Sequence, residues 1–285
     1  DQDEINYYGP AFAKSFSNQS INNTQFGALK VKDAIVDQFT TFFDQRPSVS
    51  KLSPDIRIQA RMWRSVLGIY LDLSGQSLHQ RHYRLKTGQA PVKEHLASAM
   101  LIRSGWQQDQ QATLLDPMCG AGTVLIEAAL MANKVAPGLK RETWGFDCWK
   151  QHDTELWQNL SSSAAQVSHD HQGMIIGCDI DAEMIRIAQQ NARAAGVHNS
   201  IKFEHGDATS FVTNTEQDDP QPGYIVSNPP YGERLNEIKQ LVPVFNAWGL
   251  HLKKHFQNWR ASILTSERSL LKQLKLSANK EYKLM

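Results

Sequence analysis

Residues 113–123, TLLDPMCGAGT, decide the fold of this chain. A short apolar run ends in Asp116, and Gly120 and Gly122 follow before an apolar helical pattern begins at Thr123. Two glycines directly after a strand let the backbone turn sharply and approach a ligand closely. The stretch therefore predicts a strand, a ligand-binding loop and a helix, which together form one unit of a layered α/β domain.

The sequence after this loop alternates between strand and helix patterns. We predict strands at 173–179, 201–204, 224–227 and 260–265, with helices at 123–132, 182–195 and 239–256. The second of these helices has Asp181 as its N-cap and Gly196 at its end. Such alternation predicts a Rossmann-like fold, in which helices cover both faces of a mostly parallel sheet.

The first third of the chain has the pattern of a smaller α/β domain. Apolar spacing predicts a helix at 31–39, and alternating residues predict strands at 55–62 and 66–73. A helix is predicted to run from Pro91 to Arg103, because proline is favoured in the first turn. We therefore divide the chain into an N-terminal domain at 1–75, a basic linker at 76–90 and a Rossmann-like domain at 91–285.

Ligands of parallel sheets bind at the carboxyl ends of the strands. The loop after Asp116 has neither the third glycine of a dinucleotide site nor a phosphate-binding G-K-[ST]. It therefore suits a ligand without a pyrophosphate, and S-adenosylmethionine meets this condition. Acidic residues at the ends of the next two strands could bind ribose hydroxyls and the adenine amino group. The predicted cofactor-binding residues are Asp116, Pro117, Cys119, Gly120, Gly122, Thr123, Asp179, Asp207, Ala208 and Asn228.

The strand predicted at 224–227 ends in Asn228-Pro229-Pro230-Tyr231. Two prolines stiffen this turn and remove two N–H donors, which leaves carbonyl oxygens as acceptors. The Asn228 side-chain oxygen and the Pro229 carbonyl could hold the two N–H groups of a planar amine and direct its lone pair toward a methyl donor. Tyr231 offers a face on which a flipped base could stack. We predict that Asn228, Pro229, Pro230 and Tyr231 form the catalytic loop.

Charge is unevenly distributed along the 285 residues, although the net charge is only +1. Residues 46–93 hold nine basic and two acidic side chains, which would attract a polyanion. The RNA-binding residues predicted from this segment are Lys51, Arg57, Arg61, Arg64, Arg81, Arg84 and Lys86. The three cysteines form no C-x-x-C pair, and the histidines lack metal-ligand spacing. We therefore expect a cytoplasmic protein with no metal, and the short apolar runs predict no membrane span.

Taken together, these motifs resemble the bacterial large-subunit rRNA guanine-N2 methyltransferases that join a THUMP domain to a Rossmann-like methyltransferase domain. The residues that carry the resemblance are 23–37 (NTQFGALKVKDAIVD), 71–75 (LDLSG), 81–84 (RHYR), 90–94 (APVKE), 115–123 (LDPMCGAGT), 136–139 (APGL), 144–146 (WGF) and 227–235 (SNPPYGERL).

The resemblance implies methylation of a guanosine N2 in 23S rRNA near the peptidyl-transferase region, either in naked RNA or in a large-subunit assembly intermediate. It also implies that the THUMP domain starts before Asp1 and that the last, antiparallel strand follows Met285. Relatives of this kind are often fused to a second methyltransferase unit that makes 7-methylguanosine.

Other functions remain compatible with the residues alone. Asn-Pro-Pro-Tyr also occurs in protein-glutamine methyltransferases, since an amide nitrogen is an equally poor nucleophile, but the basic segment argues against this. Methylation of a tRNA guanine at N2 or of a nucleic-acid adenine at N6 fits the same tetrapeptide. A non-enzymatic ribosome-assembly factor that binds RNA is the alternative from a different class, and the intact site residues argue against it.

Overall fold

The structure is a computed structural model that describes residues 5–7, 23–50, 54–63, 66–86, 92–165, 173–213, 222–232 and 235–282. Contacts divide the chain into two units. One comprises Asp1–Leu78 and Arg141–Ser162, and the other comprises His79–Lys140 and Ser163–Met285. Among the described residues, no helix is both long enough and apolar enough to cross a membrane.

The first unit contains a three-stranded sheet and a long helix. Its strands and helix are β1 (Ile5–Tyr7), α1 (Thr24–Phe43), β2 (Ile56–Trp63) and β3 (Val66–Asp72). The strand order is β1-β2-β3, with β1 parallel and β3 antiparallel to β2. Val31 of α1 and Ala60 of β2 form a small buried core, against which Ile35 and Met62 pack.

Helix α1 is longer than the predicted helix because both its ends are capped. The Asn23 side chain accepts hydrogen bonds from the backbone N–H groups of Gln25 and Phe26 at 2.9 and 3.2 Å. At the other end, Asp44 adopts a left-handed conformation with φ 52°, and its N–H bonds to Thr40 O.

The second unit follows the predicted order of strands and helices. Its elements are α2 (Glu94–Ser104), β4 (Leu114–Asp116), α3 (Thr123–Ala132), β5 (Ile175–Asp179), α5 (Ala182–Ala195), β6 (Lys202–His205), β7 (Tyr224–Ser227), α6 (Leu235–His255), β8 (Arg260–Ile263) and α7 (Arg268–Gln273). Helix α4 (Thr154–Ala164) lies between α3 and β5, mostly within the first unit.

All five strands of the second sheet are parallel, in the order β6-β5-β4-β7-β8. Successive strand residues face opposite sides, so Leu114 packs with α2 and α3 whereas Leu115 packs with α6 and α7. The central strands β4, β5 and β7 are mostly apolar because both faces are covered, whereas the edge strands β6 and β8 carry polar and charged residues. The predicted Rossmann-like fold is therefore confirmed. The strand order reverses at β4, and this reversal places the ligand cleft at the carboxyl ends of β4 and its neighbours.

Some predicted boundaries differ from those in the structure. Helix α2 begins at Glu94 because Lys93 is still extended, with φ −70° and ψ 144°; Pro91 lies outside the described residues. Residues 79–86, predicted as linker, belong to the second unit, and 141–162 belong to the first. Helix α4 was not predicted, although Leu156, Trp157 and Leu160 stand at helical spacing; none of its side chains is buried. The short elements β1 and α7 were also not predicted.

Candidate cofactor and amine site

Four loops meet at the carboxyl edge of the parallel sheet. They follow β4, β5, β6 and β7, which are consecutive neighbours in the sheet. In sequence they are 117–122, 180–181, 206–211 and 228–232. The structure therefore brings the predicted cofactor-binding residues and the predicted catalytic loop to one edge of the second unit.

The glycine loop is held from the side of β5. The Gly120 N–H donates to Asp179 Oδ2 at 2.8 Å, and the Asp181 N–H donates to Asp179 Oδ1 at 3.0 Å. Asp181 is also the N-cap of α5, as predicted, because its Oδ1 accepts from the Glu183 N–H at 2.8 Å. Asp179 therefore links the end of β5 to the loop after β4 and remains half-buried at the edge.

Gly122 is required by both its conformation and its surroundings. Its φ is +82°, and a Cβ there would lie 3.0 Å from the Ala188 Cβ and 3.3 Å from the Phe203 ring. Gly120 also has a positive φ of +53°, but nothing lies within 4 Å of its Cβ position. Helix α3 begins directly after this turn at Thr123, so its N-terminal N–H groups lie beside the loop.

Asp116 is a buried carboxyl at the end of the central strand. Its exposed fraction is 2%, and Oδ1 accepts a hydrogen bond from the Met118 N–H at 3.3 Å. Burial, with a smaller contribution from the Asp179 carboxylate, raises the pKa of Asp116 to about 7, while the nearby Ser227 hydroxyl and the Met118 N–H oppose the rise. A perturbed carboxyl in a cleft is typical of a functional site.

The loop after β6 is organised by Asp207. Its Oδ1 accepts from the N–H and the hydroxyl of Thr209, both at 2.8 Å, and its carbonyl accepts from the Phe211 N–H at 2.8 Å. Asp207 is exposed, whereas Ala208 packs into the core. The turn thus holds the Asp207 carboxylate at the edge of the sheet, while Ala208 anchors the turn in the core.

The catalytic loop predicted after β7 is partly anchored in the core. Ser227 and Pro229 are buried, Asn228 is half-buried, and Pro230 is exposed. Tyr231 is half-buried and packs against the core cluster beneath α6. Pro229 and Pro230 stiffen the turn at the end of β7.

The cysteines near this edge are not reactive. Burial raises the pKa of Cys119 well above its ordinary range and raises that of Cys178 to about 12. Both thiols are protonated at neutral pH and are poor nucleophiles. Among the described residues, no group of three His, Cys, Asp or Glu side chains could hold a metal ion.

The predicted RNA-binding residues have different surroundings. Lys51 and Arg64 lie outside the described residues, whereas Arg61 and Lys86 are exposed. The Arg57 side chain is 15% exposed, and its Nη1 donates to Gly75 O at 3.0 Å. These observations leave Arg61 and Lys86 as described side chains of this set that face solvent.

Arg81 and Arg84 are turned into the second unit instead of toward solvent. Arg81 Nη2 lies 3.5 Å from Glu127 Oε2, and Arg84 Nε lies 3.1 Å from Glu94 Oε1. Their side chains are only 10% and 16% exposed. Their charge is compensated within the fold by Glu127 and Glu94, and their role in binding RNA stays a prediction.

The sequence analysis missed the buried polar side chains that bind the segment 81–86. Glu94, Glu127 and Asn191 are 6%, 3% and 1% exposed, and all three lie within helices. Asn191 offered a detectable signal, since an asparagine on the apolar face of an amphipathic helix requires a specific hydrogen-bonding partner. The carboxylates offered none, because Glu is common in helices.

The sheet order, the glycine loop after the central strand and the Asn-Pro-Pro-Tyr loop define a Rossmann-like methyltransferase. The family model described as "RMKL-like, methyltransferase domain" matches residues 81–285, and a THUMP domain model matches residues 16–72. The chain belongs to the RMKL-like methyltransferase family. The resemblance inferred from the sequence motifs is thereby confirmed.

Individual relatives agree with this assignment. The ribosomal RNA large subunit methyltransferase K/L of Pseudoalteromonas atlantica is 60% identical over 269 residues, which cover 94% of this chain and 38% of that protein. The chain therefore spans well under half the length of this relative.

Two solved structures are similar over nearly the whole chain. A predicted N6-adenine-specific DNA methylase from Listeria monocytogenes has 29% identity and a TM-score of 0.82, with 99% of this chain and 71% of that chain covered. SMU.472, provisionally described as a methyltransferase and complexed with SAH, has 30% identity and a TM-score of 0.80, with coverage of 98% and 71%.

Proposed function

We propose that this chain transfers a methyl group from S-adenosylmethionine to the exocyclic N2 of a guanosine in 23S rRNA, in the cytoplasm. The single observation that carries the proposal is the meeting of the Asn228–Tyr231 loop and the glycine loop at one edge of the sheet. The proposed substrate is naked 23S rRNA or a large-subunit assembly intermediate.

The residues at the edge fit S-adenosylmethionine. The loop from Gly120 to Gly122 permits close backbone approach without providing a pyrophosphate site. Asp179 and Asp207 provide carboxylates at the ends of neighbouring strands, where ribose hydroxyls and an adenine amino group could donate to them. Support for this cofactor also comes from the similar structure complexed with SAH.

The chemistry required of the protein is to orient a weak nucleophile. The lone pair of an exocyclic amine is delocalised into the ring, so the amine attacks poorly unless it is held. S-adenosylmethionine would supply an electrophilic methyl group on a sulfonium. The Asn228 side-chain oxygen and the Pro229 carbonyl accept the two N–H groups, direct the lone pair toward that methyl and stabilise the positive charge that develops on nitrogen. As the N–CH3 bond forms, the S–CH3 bond would break and S-adenosylhomocysteine would leave, and the positively charged amine would then release one proton to water.

The loop surrounding Asn228 supports such preorganisation. Pro229 is buried and Tyr231 packs on the core, so the acceptors lie on a rigid turn at the end of a sheet strand. Tyr231 would stack on the extruded base. Because neither Cys119 nor Cys178 is a thiolate at neutral pH, the site favours direct attack by an amine over covalent attack on a pyrimidine ring.

The RNA substrate is inferred from the relatives and from the first unit. The K/L relative is a large-subunit rRNA methyltransferase by name, and residues 16–72 match a THUMP domain. A second candidate is adenine N6, because the similar Listeria protein is described as an N6-adenine methylase and the tetrapeptide also fits that amine.

Nucleoside mapping tests the proposal directly. Undermodified 23S rRNA is incubated with the protein and methyl-labelled S-adenosylmethionine, digested and analysed by mass spectrometry. We expect labelled N2-methylguanosine at one position, and roughly 100-fold less label with the Asn228→Ala variant. Labelled N6-methyladenosine would replace the proposal with the adenine alternative. RNA binding without any labelled nucleoside, despite S-adenosylhomocysteine binding, would indicate a non-enzymatic assembly factor.

A further inference from the structure

Asn191 is a buried amide in the middle of α5 that joins two separate segments. Its Nδ2 donates to Lys86 O at 3.2 Å and to Ala121 O at 3.1 Å, and its Oδ1 accepts from the Leu85 N–H at 3.0 Å. Ala121 lies between the two glycines of the cofactor loop. One side chain thus satisfies backbone groups of both the loop and the segment 81–86, and burial makes these bonds costly to lose.

Arg84 makes a second connection between the same two segments. Its Nη2 donates to Thr123 Oγ1 at 3.2 Å and to Val92 O at 2.7 Å, while its Nε pairs with Glu94. Thr123 follows Gly122 directly and is the first residue of α3. The planar guanidinium therefore links the end of the cofactor loop to the start of α2, a geometry that a lysine could not reproduce.

The segment 81–86 is itself held firmly. The Tyr83 hydroxyl donates to Glu127 Oε1 at 3.0 Å, and Glu127 also accepts from Ser98 Oγ at 2.7 Å. His82, between Arg81 and Tyr83, has a φ of 61°. A residue other than glycine stays in the left-handed region only where surrounding contacts determine its conformation.

Hydrogen bonds from outside the cofactor loop add to the packing around it. Residues 120 and 122 have positive φ and no side chains of their own, so such bonds help to hold the loop in its conformation. Four hydrogen bonds tie residues 120 to 123 to their surroundings: Gly120 N–H to Asp179, Ala121 O to Asn191, Gly122 N–H to Cys119 O, and Thr123 Oγ1 to Arg84. Two of these four ties come from the segment 81–86 and its partner Asn191.

We propose that Asn191 and Arg84 are positioning residues that tie the segment 81–86 to Ala121 and Thr123 and so preorganise the S-adenosylmethionine loop. The inference rests on the proposed function for the identity of the ligand. A preorganised loop binds its ligand without losing further conformational entropy. Loss of either tie therefore weakens cofactor binding by loosening the loop.

Two conservative variants and one matched control test this role. Asn191→Asp keeps the size and the acceptor for Leu85 but directs a carboxylate at two carbonyl oxygens. Arg84→Lys keeps the charge opposite Glu94 but loses the forked contact. Tyr83→Phe, in the same segment, removes one buried hydrogen bond without touching the loop. Calorimetric titration with S-adenosylhomocysteine in the absence of RNA measures the affinity of each variant.

We expect at least a tenfold increase in Kd for Asn191→Asp and Arg84→Lys, and a change within twofold for Tyr83→Phe. In methylation assays, Arg84→Lys should raise KM for S-adenosylmethionine while kcat at saturation stays within twofold. Equal effects in all three variants, or wild-type affinity in the first two, would overturn the proposal.

The outcomes separate this proposal from the proposed function. If the wild-type chain binds S-adenosylhomocysteine but yields no N2-methylguanosine, the substrate assignment fails and the positioning role stands on the binding data. If the wild-type chain binds no S-adenosylhomocysteine, both fail. Should Asn191→Asp not fold, the single variants Arg84→Lys and Thr123→Val and the double variant that combines them decide the question. A direct tie requires the increase in Kd of the double variant to be less than the two single effects combined.

Discussion

The carboxyl edge of the parallel sheet and the basic segment 46–93 were both predicted to be functional, but their side chains are arranged differently in the structure. At the edge, Asp116, Asp179 and Asn228 lie at the ends of neighbouring strands, as the motifs predicted. In the basic segment, Arg81 and Arg84 turn inward to buried carboxylates. A strand-end motif specifies backbone geometry, whereas a count of charged residues does not show where their side chains point. A long arginine side chain can reach a buried carboxylate as readily as it reaches solvent.

The largest expected effect is that of the buried Asp116 carboxyl on the free energy of unfolding. Burial raises the pKa of Asp116 from 3.8 to about 7. The native state then binds a proton more tightly than the unfolded chain, so the free energy of unfolding falls as pH rises from about 4 to about 7. A shift of this size corresponds to roughly 4 kcal/mol. Asp116→Asn should abolish that decline, as measured by urea unfolding at a series of pH values. An unchanged pH dependence would contradict the interpretation that the edge retains Asp116 at a cost to stability.

The catalytic loop provides the next test. Asn228→Ala removes an oriented acceptor and should reduce methyl transfer by roughly 100-fold, while binding of S-adenosylhomocysteine is retained. Single-turnover methylation and calorimetry measure the two properties. Asn236→Ala, at an exposed position eight residues along the chain, is the matched control. Near-normal turnover of Asn228→Ala would remove Asn228 from the mechanism.

A pair of glycines can separate the requirements of the cofactor loop from ordinary backbone strain. Gly122 and Gly196 share a φ of +82°, but only Gly122 has neighbours within 4 Å of its Cβ position. Gly196→Ala should lower the free energy of unfolding by about 1 kcal/mol through backbone strain alone. Gly122→Ala should cost about 2 kcal/mol or more, because it adds steric overlap with Ala188. Equal urea midpoints for the two variants would show that packing around the loop is not tight.

The smallest effect is expected for the exposed part of the basic segment. Arg61→Ala combined with Lys86→Ala should weaken RNA binding and reduce the slope of log K against log salt concentration by roughly 1 to 2. Binding measured at several salt concentrations tests this, and Lys253→Ala with Lys254→Ala, at exposed positions on α6, is the control. If both double variants had the same effect, the basic segment would lose its proposed role in binding RNA.

Much of the second unit was predictable because local patterns there agree with the global fold. Strands β4, β5 and β7 are apolar on both faces, and Asp181 and Gly196 mark the ends of α5. Helix α4 was missed although Leu156, Trp157 and Leu160 stand at helical spacing; it buries no side chain, so packing against a core does not reinforce its local pattern. The division of contacts at residues 79 and 141 was also hidden, because spatial association of a segment leaves no mark in its composition.

The sequence by itself determined the strand-end chemistry: a glycine loop, two acidic strand ends and Asn-Pro-Pro-Tyr, each specified by a short run of residues. The hydrogen bonds that support the loop after β4 from other segments are a property of the tertiary structure alone. Asn191 is 70 residues from Ala121, and Arg84 is 39 residues from Thr123, yet both bond to the cofactor loop. Such contacts depend on how helices dock on the sheet, and the hydrogen-bonding capacity of a side chain does not reveal its distant partner.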